Sequence, residues 1–216
     1  MKIILPSIQE QQKIATILSN MDALIESTSK VIQNTKLLKK SLMQKLLTQG
    51  ISHTKFKKIP WLFGKEIEIP KEWKWQQISN NSTIKGRIGW QGLTTKEYRH
   101  EGQFYLVTGT DFKNVRIDWD NCVYVDENRY LQDKNIQLKK NDVLITKDGT
   151  IGKIAYVNSL SILSTLNTGV FVVRPIDGKY ISLFFYHILF SDYFIKFLNR
   201  LKAGSTINHL YQRDFN

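Results

Sequence analysis

Very few residues in this chain are of a type and spacing that could do covalent chemistry. Gly149-Thr150-Ile151-Gly152-Lys153 has part of the composition of a phosphate-binding loop. Such a loop needs G-x-x-x-x-G-K followed by Ser or Thr, so that backbone amides ring the phosphates. Here the glycines are too close together, and Ile154 stands where the hydroxyl should be. Glu72-Trp73-Lys74 fits the E-x-K of metal-dependent nucleases, but the only preceding aspartate is the distant Asp22. A [DNS]-P-P-[YF] methyltransferase stretch is excluded, because Pro6, Pro60, Pro70 and Pro175 are all isolated. His53, His100, His187 and His209 have no ligand spacing. His187, on an aromatic helix face, reads as core. Cys122 is the only cysteine, which rules out an internal disulfide and a cysteine zinc cluster. Ser205 lacks the strand-to-helix elbow of a nucleophile and suits the cap of a short helix. No catalytic residue, metal site or cofactor is expected.

The remaining chemistry is binding. The net charge is +12, and nucleic acid is the commonest partner of a strongly basic chain. Residues 1–58 hold ten lysines against three acids, and residues 59–216 hold 21 basic residues against 16 acids. All seven arginines fall in the second part: Arg87, Arg99, Arg116, Arg129, Arg174, Arg200 and Arg213. Arginine is the better reader of guanines and phosphates. In Lys85-Gly86-Arg87-Ile88-Gly89-Trp90-Gln91-Gly92 the glycines recur every third residue, which marks a loop. Lys85, Arg87, Trp90 and Gln91 are its candidate nucleic-acid contacts. Lys147, Asp148 and Lys153 are those of the second glycine-rich turn, whose Gly149 and Gly152 could equally serve only a tight turn. Arg99, Lys113 and Arg116 are further candidates. Gln and Arg suit paired hydrogen bonds to base edges, and Lys suits phosphates.

The elements that must position these residues divide the chain. Residues 5–47 read as one helix. Ser7-Ile8-Gln9-Glu10 fits a capping box, Gly50 supplies the stop, and no Pro or Gly lies between. Ile14, Met21, Thr28, Thr35 and Leu42 recur every seven residues, and Leu18, Ile25, Ile32, Lys39 and Leu46 form a second seam. Ile17, Leu24, Val31 and Leu38 widen it. A sustained seven-residue repeat is a coiled-coil signal. The predicted seam for dimerisation is Ile14, Leu18, Met21, Ile25, Thr28, Ile32, Thr35, Leu42 and Leu46. The plainer alternative is a helix packed on its own domain. Residues 51–68 read as a connector.

From residue 69 onward the composition turns aromatic and β-branched. Short strands are expected at 102–107, 115–119, 122–125, 143–145, 154–157 and 169–174, and a long helix at 180–201. The predicted fold class is α+β: a long coiled-coil-forming helix (1–50), then a mixed α/β domain with many short strands (69–216). No apolar run is long enough for a membrane helix. A cytoplasmic location is the default for a chain with one cysteine.

Several runs resemble the DNA specificity subunits of type I restriction–modification enzymes. The helix carries Leu5-Pro6-Ser7-Ile8-Gln9-Glu10-Gln11-Gln12-Lys13-Ile14-Ala15, then Met21-Asp22-Ala23-Leu24-Ile25, then residues 37–47, LLKKSLMQKLL. Ile69-Pro70-Lys71-Glu72-Trp73 resembles the opening of that family's target recognition domain. Residues 142–153 (DVLITKDGTIGK) and 203–210 (AGSTINHL) resemble its two internal signatures. The resemblance implies two target recognition domains held apart by antiparallel helices, each reading half of a split site in double-stranded DNA. It also implies a non-catalytic subunit. Partner modification subunits methylate adenine with S-adenosylmethionine, and a restriction subunit cleaves.

This chain has one such helix and one such domain. Its last residues, Tyr211-Gln212-Arg213-Asp214-Phe215-Asn216, read naturally into its first, Met1-Lys2-Ile3-Ile4-Leu5-Pro6. A half-size or truncated specificity subunit, paired as a homodimer, is the expectation. The alternative is an assembly adaptor, or a coiled-coil DNA-binding protein with mainly nonspecific contacts.

Overall fold

The computed structural model describes residues 1–61, 64–203 and 209–215. The chain divides into two units, Met1–Ile51 and Ser52–Asn216. The expected cap at Ser205, and all of the 203–210 signature except Ala203, His209 and Leu210, lie outside the described residues.

The first unit is one helix, α1 (Ile8–Gln49), of 42 residues and so about 60 Å long. The Ser7 hydroxyl oxygen accepts from the Glu10 N–H at 3.3 Å, one half of the predicted box. The Gln11 amide donates to the Pro6 carbonyl at 2.8 Å and fixes the chain entry. Gly50 ends the helix at φ 67°, a conformation that side chains with a Cβ rarely adopt. The hydroxyls of Thr28 and Thr35 donate to the Leu24 and Val31 carbonyls, both at 2.8 Å. With their polar atoms engaged on the helix's own backbone, both residues offer the seam a methyl group. No residue of α1 is buried. Its apolar stripe, including Ile14, Leu18, Met21, Ile25, Ile32, Leu42 and Leu46, stands exposed.

The second unit starts earlier than the expected boundary at residue 69. Within the stretch expected to be a connector lie β1 (Phe56–Pro60) and most of β2 (Glu66–Pro70), paired antiparallel. The alternation Glu66-Ile67-Glu68-Ile69 is the strand signal, and Ile59 and Ile69 are the buried apolar side chains of the hairpin.

The centre of this unit is a four-stranded antiparallel sheet in the order β3-β11-β8-β9. Its strands are β3 (Ser82–Gly86), β8 (Val143–Thr146), β9 (Ile154–Tyr156) and β11 (Val170–Pro175). Successive side chains of a strand point to opposite faces, so each central strand feeds two cores. Val143, Ile145, Phe171 and Val173 pack with Phe185, Leu189, Phe194 and Leu198 on the helical side. Leu144, Val170 and Val172 pack with Val107, Ile136 and Leu166 on the other. That second core is covered by a three-stranded sheet in the order β10-β4-β7: β10 (Leu163–Leu166), β4 (Phe104–Val107) and β7 (Val123–Val125). In it β10 runs parallel to β4. A short helix, α2 (Glu127–Leu131), follows β7, and a small hairpin, β5 (Phe112–Lys113) and β6 (Arg116–Ile117), precedes it.

The single helix expected at 180–201 is two, α3 (Ser182–Ile188) and α4 (Asp192–Ala203). Ser191 breaks it. Its N–H and hydroxyl both donate to the Ile188 carbonyl, at 2.9 and 2.6 Å, which closes a turn in place of the helix ladder. Asp192 then opens α4 with an acid in its first turn.

Arg174 on β11 holds the sheet to its surroundings. Its Nε and Nη2 donate to the two carboxylate oxygens of buried Asp142 at 2.6 and 2.7 Å. Its remaining donors go to the Asn135 and Gln137 carbonyls, both at 2.7 Å.

Candidate nucleic-acid interface

Strand direction decides which loops meet. β3 ends at Gly86, opposite Phe171 near the start of β11. β8 ends at Thr146, opposite Val170, and Ile154 at the start of β9 lies opposite Ile145. β4 and β10 end side by side, with Leu166 opposite Val107. The loop after β3, the β8–β9 turn, the loop after β4 and the β10–β11 turn therefore emerge at one end of the domain. Local contacts tie them together. The Lys147 N–H donates to the Gly169 carbonyl and the Asn167 N–H to the Val107 carbonyl, both at 2.9 Å. Gly92 sits so close to Thr168 that a Cβ added to it would lie 3.1 Å from the threonine methyl. The Lys153 ammonium reaches the Gly109 carbonyl at 3.5 Å.

The first glycine-rich loop has a buried anchor. Arg87 is 1% exposed. Its Nε donates to the Leu166 carbonyl at 2.8 Å and its Nη1 to Gln132 Oε1 at 3.0 Å. Its Nη2 donates to the Arg129 carbonyl at 3.3 Å and to Thr165 Oγ1 at 3.2 Å. Burial, and next the Arg129 guanidinium, pull its pKa below its ordinary value, against Asp133 and Glu97. Gln91 also points inward, and its Oε1 accepts no hydrogen bond among the described residues. Of the four candidates on this loop, Lys85 and Trp90 are exposed and Arg87 and Gln91 are enclosed.

The second loop is built differently. Gly149 and Gly152 take φ of 67° and 81°. An added Cβ on Gly152 would lie 2.2 Å from a Leu198 methyl. Ile151 turns into the core. The Thr146 hydroxyl donates to the Thr150 carbonyl at 2.5 Å and accepts from the Lys153 N–H at 2.9 Å, which closes the turn from inside. The charged side chains remain at the surface. Lys147 lies 5.2 Å from the Phe171 ring centroid, Lys153 is exposed, and Asp148 Oδ1 lies 2.6 Å from His209 Nδ1. The Leu210 N–H donates to the Lys147 carbonyl at 2.9 Å, so the C-terminal segment docks on this same turn. His209 is a member of the cluster that sequence spacing could not reveal. It lies 61 positions from its partner, and only the fold brings the two together.

The other candidates lie on the segment before β4 and on the β5–β6 hairpin. Arg99 pairs with β7 through Tyr124 and donates to Asp126 at 3.0 Å, which raises its pKa. Lys113 is ion-paired with Asp118 and held above its usual range by it. Arg116 sits exposed across the tight turn Asn114-Val115, whose φ values of 48° and 63° are those of a two-residue hairpin. Arg129 donates to Glu97 at 2.8 Å. Like Arg174 on Asp142, Arg87, Arg99 and Arg129 each make internal side-chain pairs or networks. Glu72 of the E-x-K stretch lies 3.1 Å from His53. Among the described residues no cluster of three His, Cys, Asp or Glu could hold a metal. Burial raises the Cys122 thiol pKa well above its ordinary value, so it is not a poised nucleophile.

This fold and this loop end define a class: a mixed-sheet domain that presents loops at one strand end, joined to a long helix with an uncovered apolar stripe. Comparison with known proteins names it. Residues 70–216 match the family model described as the type I restriction modification DNA specificity domain, and the chain belongs to that family. It is 28% identical over 218 aligned residues to the type I restriction enzyme MjaVIII specificity subunit of Methanocaldococcus jannaschii, covering 94% of this chain and 47% of that one. It is 31% identical over 156 residues to a protein of the same organism named for the MjaX specificity subunit, covering 71% of this chain and 34% of that one. The crystal structure of an HsdS subunit from Thermoanaerobacter tengcongensis has the same fold, with a TM-score of 0.55 at 17% identity over 98% of this chain and 46% of that one. The chain therefore spans about half or less of the length of the relatives it matches. Among the described residues no helix is long and apolar enough to cross a membrane.

Proposed function

We propose that this chain is a sequence-specific DNA-reading subunit of a type I restriction–modification enzyme, non-catalytic itself, and working as a pair. The observation that carries the reading is the gathering of four separate loops at one domain end, with Lys85, Lys147 and Lys153 around exposed loop backbone. Lysines there meet phosphates and set the register, while loop side chains address the groove.

In this reading α1 pairs antiparallel with α1 of a second copy through Ile14, Leu18, Met21, Ile25, Thr28, Ile32, Thr35, Leu42 and Leu46. Twofold symmetry then puts the two recognition domains on opposite ends of the paired rod. The target is a palindrome with a gap. At ~3.4 Å per base pair, a rod of about 60 Å corresponds to ~18 base pairs, an upper limit for the span. Linking the readers raises the effective concentration at the second half-site. Methylation and cleavage belong to partner modification and restriction subunits, which the specificity subunit directs.

Three measurements test this. The mass of the purified chain in solution should be that of a dimer, and a clean monomer argues against the pair. Selection from a random duplex pool should enrich a two-part palindrome; sequence-independent binding overturns the reading. Thr28→Ile with Thr35→Ile should tighten or re-register the dimer. No change in association means that something other than a second copy covers the stripe.

A further inference from the structure

The tip of the first glycine-rich loop is inverted in polarity. Trp90 is 78% exposed and Ile88 is 53% exposed, whereas Gln91 beside them is 9% exposed with its Oε1 unpartnered among the described residues. Water would favour the opposite arrangement, with the amide outward and the indole inward. The loop cannot simply relax to it, because both ends are held. Arg87 is pinned by hydrogen bonds to four acceptors, and Gly92 is wedged against Thr168. Between them a single 3-10 turn, closed by Gln91 N–H to the Ile88 carbonyl at 2.9 Å and Gly92 N–H to the Gly89 carbonyl at 3.0 Å, lifts the indole away from the domain.

The surroundings say what would cover it. Gly92 adjoins the Thr168-Gly169 turn, which is bonded to Lys147. Lys85, Lys147 and Lys153 belong to the same strand end, so an apolar tip stands on a basic surface. A protein partner's apolar pocket would gain nothing from the ammonium groups at that end. A polyanion with apolar surface inside its grooves gains from both.

We infer that Trp90, supported by Ile88, is an apolar specificity-determining contact to double-stranded DNA, its indole packing on base surface in the groove (a thymine methyl or the face of an opened base step), while Arg87 and Gln91 shape the loop and touch no base. This rests on the DNA-reading function proposed above and assigns the role of one side chain within it. An indole carries no charge, so its contribution is insensitive to salt, whereas each lysine–phosphate contact adds to the salt slope.

The test uses the full chain and a duplex enriched from a random pool by the wild-type protein. Trp90→Ala should lose ~10- to 100-fold in affinity for that duplex. Binding to a scrambled duplex of equal length, and the slope of log affinity on log salt, should stay as in wild type. Trp90→Phe should keep most of the affinity. 2-Aminopurine placed across the enriched site should change fluorescence with wild type and not with Trp90→Ala. Trp90→Ala binding within about twofold of wild type, or weakening scrambled and enriched duplexes alike, overturns the inference while leaving the DNA-reading function in place. Failure of the wild-type protein to enrich any duplex removes that function and this inference with it.

Discussion

The two glycine-rich loops emerge at the same end of the domain, on either side of the β10–β11 turn, and are built on opposite plans. The first spends its most capable polar groups inside. Arg87 is enclosed by carbonyl and side-chain oxygens and Gln91 turns inward, so the loop shows apolar Ile88 and Trp90 to solvent. The second closes itself with backbone and the Thr146 hydroxyl, buries apolar Ile151, and leaves Lys147, Asp148 and Lys153 at the surface. Glycine spacing alone makes the two loops look alike. Their difference teaches that one loop presents shape and apolar surface, the other charge. In the DNA-reading function proposed above, this fits a division of labour between discriminating and positioning contacts.

Substitutions can break this comparison, beginning with the largest effect. Arg87→Met leaves buried acceptors without donors and should lower folding stability by about 3 kcal/mol. If Arg87 were free to read bases, a thermal melt of the variant would match wild type. Gly152→Ala should cost about 2–3 kcal/mol, because it adds a contact with Leu198 to a left-handed φ. Gly149→Ala meets nothing within 4 Å, so only the conformational strain of about 1 kcal/mol remains. Equal losses for the two glycines would show that packing against α4 does not hold the second loop. Lys153→Ala should leave stability within about 0.5 kcal/mol, weaken DNA binding evenly across sequences, and reduce the salt slope by about 1. A change of sequence preference in that variant would move base reading to the second loop. Trp90→Ala should have the smallest effect on stability, also within about 0.5 kcal/mol, so a lowered melting temperature would mean that the indole packs at home.

α1 offers a second contrast, with the domain as a whole. Its start, stop and seven-residue stripe were legible because every determinant is local: Ser7 bonding three residues on, Gly50 at positive φ, and no breaker between. The central strands β8 and β11 were legible for a related reason. Short β-branched runs buried on both faces have few other uses. The hairpin β1–β2 was not, because Pro60 and the basic Lys55–Lys58 cluster masked the alternation Glu66 to Ile69. β10 (Leu163–Leu166) passed unnoticed within Ser-rich sequence, since Thr165 and Ser164 are buried by neighbours far along the chain. The break at Ser191 escaped the helical periodicity, since one side-chain hydrogen bond can end a helix without disturbing the apolar pattern.

By itself the sequence determined the long helix and its uncovered seam, the α+β class of the domain, the basic character of the chain, and the family motifs at residues 5–15 and 142–153. These depend on composition, period and local hydrogen bonding, which are written along the chain. Only the tertiary structure decided which loop side chains face outward. Arg87 could have been a base reader or an anchor. It is an anchor because Leu166, Thr165, Arg129 and Gln132 close around it, residues that lie 42 to 79 positions away. A guanidinium faces whichever side offers acceptors without the cost of stripping its water unreplaced. That choice is made by strand order and packing, and it leaves Trp90 as the residue the loop displays.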